Sequence, residues 1–90
     1  MANHPSALKR ARQREKREER NRARRTAART RIREVLEAVA SGDTKAAKAA
    51  LAEATRVLDR AAARGALPKE RVARKISRLT VTVQKLGPRP

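Results

Sequence analysis

The stretch that decides the fold is Arg14–Val39, REKREERNRARRTAARTRIREVLEAV. Its C-terminal part carries large aliphatic side chains at the i, i+3, i+4, i+7 spacing of one buried helical stripe: Ile32, Val35, Leu36 and Val39. Continued toward the N-terminus, this stripe passes Ala28 and then meets a series of arginines: Arg25, Arg24, Arg17, Arg14 and Arg10. The pattern therefore predicts one helix with a core-facing half and a half that no apolar surface of the chain covers.

This first helix is predicted to be long. Ser6, after Pro5, fits an N-cap, no Gly or Pro occurs between Ala7 and Ser41, and Gly42 suits the position after a helix end. The glutamates of the N-terminal half are predicted to form supporting pairs three or four residues apart: Arg12–Glu15, Lys16–Glu19 and Glu18–Arg22. Each pair contributes only about 0.2–0.5 kcal/mol. We therefore expect this half to be partly disordered in the free protein.

Two more helices follow. Asp43 is predicted to cap the second, which runs to about Arg64 and stops at Gly65. Its inner stripe is mostly small: Ala47, Ala50, Leu51, Ala54, Val57, Leu58 and Ala61. Pro68 suits the first position of the third helix, which Gly87 and Pro88 end. The stripe of that helix steps by four and three: Val72, Ile76, Leu79, Val83 and Leu86.

The predicted fold class is all-α, a three-helix bundle with a long, strongly basic N-terminal helix that extends beyond the core. Residues 1–90 form one domain with three parts: a basic arm at 1–27, the bundle at 28–87 and a tail at 88–90. The alternation of Val81 and Val83 also fits a strand, but the longer helical pattern explains Val83 and leaves Val81 exposed.

The charge of the chain indicates a polyanionic partner. There are 25 Lys and Arg residues against 9 Asp and Glu, a formal charge of +16, and the pI is about 11.9. Residues 1–33 carry 13 of these cations and 3 glutamates, a net +10. Such self-repulsion requires counterions or a bound polyanion, and nucleic acid is the commonest.

The missing residue types narrow the kind of recognition. The chain has no Phe, Tyr or Trp, so it lacks the aromatic platforms on which readers of single strands stack bases. It has no Cys, and therefore no disulfide framework and no thiolate metal site. We expect contacts to the nucleic-acid backbone and to its shape.

Two basic regions are candidate binding surfaces. Lys and Arg side chains of the arm point to nearly every azimuth of the helix, which suits a crevice between packed RNA helices better than a single groove of DNA. On the third helix, five cations fall within a sector of roughly 100° beside the aliphatic seam: Arg71, Arg74, Lys75, Arg78 and Lys85. Together they predict two places at which nucleic acid is held.

No catalytic arrangement is visible. His4 has no partner at ligand or triad spacing, Ser6, Ser41 and Ser77 lack a positioned base, and Asp43 and Asp59 read as a cap and a surface residue. We predict that the protein is not an enzyme and needs no cofactor, metal or small-molecule substrate. No apolar run approaches the ~20 residues of a membrane span, so we expect a cytoplasmic protein without membrane contact.

Three segments carry a family resemblance. ANHPSALKRARQ at 2–13, LDRAAARG at 58–65 and ARKISRL at 73–79 resemble, in order and spacing, the twentieth protein of the bacterial small ribosomal subunit. The resemblance covers nearly the whole chain. It implies a three-helix bundle with a long first helix, which binds 16S ribosomal RNA early in subunit assembly and is monomeric apart from the ribosome.

The resemblance also implies which residues contact RNA. In this chain they are Ser6, Lys9, Arg10, Arg12, Arg14, Arg17, Arg20, Asn21, Arg24, Arg25, Arg29, Arg31, Arg74, Lys75, Ser77 and Arg78. The chain departs from the family at the start of helix three, where Pro68, Lys69 and Glu70 replace a His, a basic residue and an Asn. Ile76 stands where a Lys is common. Glu70 would repel a nearby phosphate.

Two other functions fit parts of the pattern. A basic segment that leads into helix–loop–helix also describes dimeric DNA-binding regulators, although Gly42 interrupts the aliphatic stripe that a dimer would need. A membrane-active or calmodulin-binding helix requires a continuous apolar face beside the charge. The arm offers only Leu8 and scattered alanines.

Overall fold

The computed structural model describes residues 5–86, which form three α-helices: α1 at Pro5–Ser41, α2 at Thr44–Ala63 and α3 at Lys69–Leu86. No strand occurs among these residues. All three helices pack against one another, and the predicted three-helix architecture is confirmed. At 37 residues, α1 spans about 55 Å. It is far longer than α2 or α3, so its N-terminal half extends past the bundle.

The turn between α1 and α2 is built from two residues. Gly42 has a φ of +77°, a conformation that favours glycine, and its N–H donates to the carbonyl of Val39 at 3.0 Å. The Asp43 N–H donates to the carbonyl of Ala38 at 3.3 Å, which completes a Schellman motif. The Asp43 carboxylate accepts a hydrogen bond from the N–H of Ala46 at 3.0 Å. The predicted stop at Gly42 and cap at Asp43 are confirmed.

The connection from α2 to α3 uses the same motif. Gly65, also with a φ of +77°, donates its N–H to the carbonyl of Ala62 at 3.1 Å, and Ala66 donates to that of Ala61 at 2.9 Å. Ala61 and Ala66 are both buried, as is usual for the apolar contact of a Schellman motif. Leu67 then packs against the core.

The core lies where the three predicted stripes meet. Its buried members are Ala28 and Val35 of α1, Ala47, Ala54, Leu58 and Ala61 of α2, and Val72, Leu79 and Val83 of α3. The remaining residues of the α2 and α3 stripes pack against this cluster and are partly buried. Val81 is exposed on α3 while Val83 is buried, so the helical interpretation of that segment is confirmed.

Three local predictions are wrong. Because α1 begins at Pro5, Ser6 lies inside the first turn and is not the N-cap; Pro is common at the first helical position. α3 begins at Lys69, which places Pro68 just before the helix, where its carbonyl accepts the N–H of Val72 at 3.1 Å. Leu36 is 49% exposed, because it lies about 100° around the helix from Val35 and misses the α2–α3 surface. The predicted stop at Gly87 and Pro88 lies outside the described residues.

Candidate nucleic-acid interface

The first part of the interface is the exposed arm, which we define structurally as residues 5–20. Every residue in this range is exposed, and the first partly buried one is Asn21. Seven of the predicted RNA-contacting residues lie here: Ser6, Lys9, Arg10, Arg12, Arg14, Arg17 and Arg20. Within residues 5–86, none of these seven side chains forms a hydrogen bond or an ion pair with another residue. The arm therefore presents its cations to solvent along its whole length.

The arm's cations are spread around the helix, and three of them share one depression. Arg10, Arg14 and Arg17, with Gln13, line a hollow of about 210 Å³ on the surface of α1. Their spacing of four and three residues places them on one face. Arg12 and Arg20 lie outside this depression. Three adjacent guanidinium groups of this kind can bind successive phosphates of one strand.

The glutamate pairs predicted in the arm do not form. Within residues 5–86, the ion pairs are Arg31–Glu34 at 3.3 Å, Arg33–Glu37 at 3.9 Å and Glu53–Arg56, all of them in the bundle. The prediction of support from Glu15, Glu18 and Glu19 is therefore wrong. The arm's cations gain no carboxylate partner at these positions. The cost to the helix is small, because solvated i, i+3 and i, i+4 pairs contribute little to stability.

The arm joins the bundle at residues 21–31, where the predicted contact residues other than Arg29 have protein partners within residues 5–86. Arg24 donates to the side-chain oxygen of Asn21 at 3.2 Å, and Arg25 donates to the carbonyl of Ala66 at 3.5 Å. Arg31 donates to both carboxylate oxygens of Glu34 at 3.3 Å. Arg24 and Arg25 are partly buried. These side chains are consequently held in place, while those of the exposed arm are not.

The second part of the interface is the basic ridge on α3. Arg71, Arg74, Lys75 and Arg78 line one hollow of about 250 Å³, with no acidic residue among them. All four are exposed. Ser77 and Lys85 are exposed too but do not line this hollow. The ridge therefore concentrates four positive charges on two turns of one helix.

The arm's base and the ridge meet at a second hollow, which we call the junction groove. It has a volume of about 190 Å³ and lies between α1 and α3. Four cations line it, two from each helix: Arg25, Arg29, Arg71 and Lys75. Its remaining lining is apolar: Ala28, Ile32, Leu58, Leu67 and Val72. Two basic regions that are some 40 residues apart in sequence thus share one site.

Sequence reasoning missed two members of this site. Leu67 belongs to none of the three predicted stripes, and Arg71 is predicted in the ridge but not among the RNA contacts. The sequence does contain one indication of this site. Arg25 and Arg29 lie four residues apart and beside the stripe residue Ile32, which places two cations next to an apolar side chain. The approach of α3 to this flank depends on the turn that precedes it, which no helical periodicity describes.

Other kinds of site find no support in the part of the chain that the structure describes. No group of three or more His, Cys, Asp or Glu side chains between residues 5 and 86 could hold a metal ion. Within the same range, none of the three helices combines the length and apolar character that a membrane span requires.

The chain is similar to known proteins over nearly its whole length. The family model described as Ribosomal protein S20 matches residues 2–84. A protein of Ruegeria sp. named small ribosomal subunit protein bS20 is 54% identical over 87 residues, which cover 97% of this chain and 100% of the relative. The proteins of the same name from Citrifermentans bemidjiense and Jannaschia sp. are 52% and 51% identical over 87 residues, which cover 97% of this chain and 100% and 99% of those relatives.

Proposed function

The chain belongs to the ribosomal protein S20 family, and from this premise we propose that it is a structural component of the small ribosomal subunit that binds 16S ribosomal RNA directly. Its role is to stabilise the folded RNA during subunit assembly. We further propose that the protein is not an enzyme and that it acts at the ribosome in the cytoplasm. The observation that carries the proposal is the exposed arm, a basic helix without protein cover over residues 5–20.

The proposed mechanism is neutralisation of backbone phosphates. RNA helices pack only when the repulsion between their phosphates is relieved, and a rod of guanidinium groups between them supplies that charge. Cations around the whole helix allow contact with strands on more than one side. The ridge on α3 then holds RNA beside the bundle. The proposed contacts are those implied by the family resemblance, from Ser6 to Arg31 and at Arg74, Lys75, Ser77 and Arg78, with Arg71 added.

Binding and stability are coupled in this proposal. Alanine supplies four of the nine buried side chains of the helical core, so the bundle buries little apolar surface and small single cores supply about 3–5 kcal/mol at most. A partner that binds only the folded protein adds about 4 kcal/mol at a thousandfold excess over Kd. RNA therefore stabilises the protein by as much as the core does, and we expect the arm to gain order when it binds.

The test is a filter-binding titration of the full chain with 16S RNA fragments and with duplex DNA of equal length, over a range of salt concentrations. We expect tighter binding to RNA, because the 2′-hydroxyls and the A-form shape distinguish it. Each neutralised phosphate is expected to add about 0.7–0.9 to the log–log salt slope. Equal affinity for RNA and DNA at physiological salt contradicts the proposal.

A dimeric DNA-binding regulator is the alternative that the basic segment first suggested. Such regulators dimerise through an aliphatic face that continues from the basic helix, whereas the stripe of α1 ends at Gly42 and packs onto α2 and α3 of the same chain. Sedimentation equilibrium separates the two functions. We expect a monomer, and a stable dimer would revive the DNA-binding interpretation.

A further inference from the structure

The junction groove differs from the rest of the basic surface because it has an apolar floor. The hollow of the exposed arm contains only arginines and one glutamine, and that of the ridge contains only Arg and Lys. In the junction groove, Ile32, Leu67 and Val72 lie between the cations. Phosphates alone do not require such a floor, since they bind equally well to cations on a polar surface. The groove is therefore suited to a ligand that is both anionic and apolar.

We propose that the junction groove holds one unstacked nucleotide of the bound RNA, with its base on the apolar floor and its flanking phosphates on the cations of the rim. This inference rests on the proposed function and adds a contact at the level of one base to an interface otherwise made with the backbone. The volume of about 190 Å³ is that of roughly six water molecules in the liquid, which is comparable with a single nucleobase.

The charges of the groove match a nucleotide on both sides. Arg25 and Arg29 come from α1, and Arg71 and Lys75 from α3, so cations lie on opposite rims of the apolar floor. A nucleotide within a strand carries a phosphate on each side of its base and sugar. The two rims can therefore bind the phosphates before and after the inserted base. No acidic side chain lines the groove.

One cation of the rim, Arg25, has a contact that orients it. The guanidinium of Arg25 donates to the carbonyl of Ala66 at 3.5 Å, and this orients Arg25 across the turn that also positions Leu67. A guanidinium has five N–H donors, so several remain for a phosphate. The same contact ties the base of the arm to the floor of the groove, which favours a preformed site.

The contact to the base is expected to be aliphatic. The chain contains no aromatic residue, so the stacking platforms of most single-strand binders are absent. Leucine, isoleucine and valine side chains can cover one face of a base and remove it from water, with a gain of about 25 cal/mol per Å². Such a contact is not specific for one base, because every base has an apolar face.

The direct test is methyl NMR on the full chain with two short single-stranded RNA oligonucleotides of equal charge, one of which has an abasic residue at its centre. We expect the base-bearing oligonucleotide to move the methyl signals of Ile32, Leu67 and Val72 upfield through the ring current of the base. We expect the abasic oligonucleotide to bind with a similar salt dependence but not to cause these upfield shifts. Ala52, which is exposed on α2 and does not line the groove, provides a control methyl signal.

A substitution provides a second test. Leu67→Gln removes apolar floor without changing charge, and Ala52→Gln makes an uncharged apolar-to-polar change on the exposed surface of α2. We expect Leu67→Gln to weaken binding of a 16S fragment by roughly five- to tenfold, the loss of about 40–50 Å² of apolar contact, with an unchanged salt slope. Ala52→Gln leaves the affinity unchanged. Thermal unfolding followed by circular dichroism ensures that both variants are compared while folded.

Several outcomes overturn the inference. Equal methyl shifts with the abasic oligonucleotide, or with a glutamate hexapeptide, show that the groove binds anions without a base. If signals of the exposed arm move and those of the groove do not, RNA binds elsewhere and the proposed function stands without this site. If neither oligonucleotide nor the 16S fragment binds, the proposed function itself fails.

Discussion

The two halves of α1 share one backbone and similar helix-forming residues, yet they have opposite surroundings. Residues 5–20 are exposed throughout, whereas Ala28 and Val35 are almost completely buried. The difference lies in one stripe of the helix, which carries arginine in the first half and aliphatic side chains in the second. The residues of a single face can therefore make one end of a helix pack into a protein core and leave the other end free to bind a polyanion.

The comparison also separates two kinds of energy. In the buried half, stability comes from apolar contacts, which salt does not screen. In the exposed half, the interactions with a partner are electrostatic and weaken as salt rises. Substitutions in the two halves should thus affect different measurements, and the following predictions use that separation.

The largest effect is expected from removal of residues 1–20. This truncation deletes seven Lys and Arg residues and leaves the contacts of Asn21, Arg24 and Arg25 in place. We expect affinity for a 16S fragment to fall by on the order of a hundredfold or more, and the log–log salt slope to decrease by about 5 if all seven cations contact phosphates. Thermal unfolding of the bundle should change little. A truncated protein that binds as tightly as the full chain would show that the arm is only a solvated tail.

The core provides the reverse case. Leu58→Ala removes a side chain that is 2% exposed, so we expect the free energy of unfolding to fall by about 2–5 kcal/mol. Leu36→Ala is the matched control, because the same side chain is 49% exposed there, and we expect a loss of about 1 kcal/mol or less. Chemical denaturation measures both. Equal losses would mean that Leu36 is packed against the core after all.

A smaller change tests whether position or total charge matters in the arm. In the triple variant Arg10→Gln, Arg14→Gln, Arg17→Gln, we expect the salt slope of RNA binding to fall by about 2–3. The control removes three exposed cations from α2 in the variant Lys45→Gln, Lys48→Gln, Arg56→Gln, and should leave the slope nearly unchanged. Filter binding at several salt concentrations distinguishes them. The same decrease in both proteins would indicate attraction by net charge alone.

The smallest effect concerns the turn that joins α1 to α2. Asp43→Ala removes the carboxylate that accepts the N–H of Ala46, and we expect a loss of about 1 kcal/mol in the free energy of unfolding. Asp59→Ala on the exposed face of α2 should change it by less than about 0.5 kcal/mol. RNA affinity of the folded protein is expected to be the same in both. Weaker RNA binding by Asp43→Ala alone would connect this turn to the interface.

Much of the fold could be predicted from the sequence, because helical periodicity is a local property. The stripes of α2 and α3, the stops at Gly42 and Gly65 and the cap at Asp43 each depend on residues within one or two turns, and all are found in the structure. The errors at Ser6 and Pro68 are shifts of two residues and one residue at a helix end. Leu36 could not be assigned correctly, because its exposure depends on how wide a sector of α1 the other two helices cover.

The candidate interface could be predicted only in outline. The arm and the ridge follow from charge and helical angle, but their approach at the junction groove requires the direction in which α3 leaves the turn after Gly65. The partner of Arg25 belongs to the same category, since Ala66 is 41 residues from Arg25. Long-range register of this kind is set by packing and cannot be read from spacing along one helix.

α1 runs from the arm into the core without a break, so in the RNA-bound state, where we expect the arm to be ordered, the bundle sets both the direction and the rotation of the arm. The exposed arm is a lever of about 24 Å, so a tilt of about 10° at the bundle moves its end by about 4 Å. Insertion of one residue near Arg22 would turn every arm side chain by about 100° relative to the junction groove while leaving the net charge unchanged. The side chains of the arm thus have a fixed rotation about the helix axis relative to the junction groove. RNA that contacts both the arm and the groove must match that rotation.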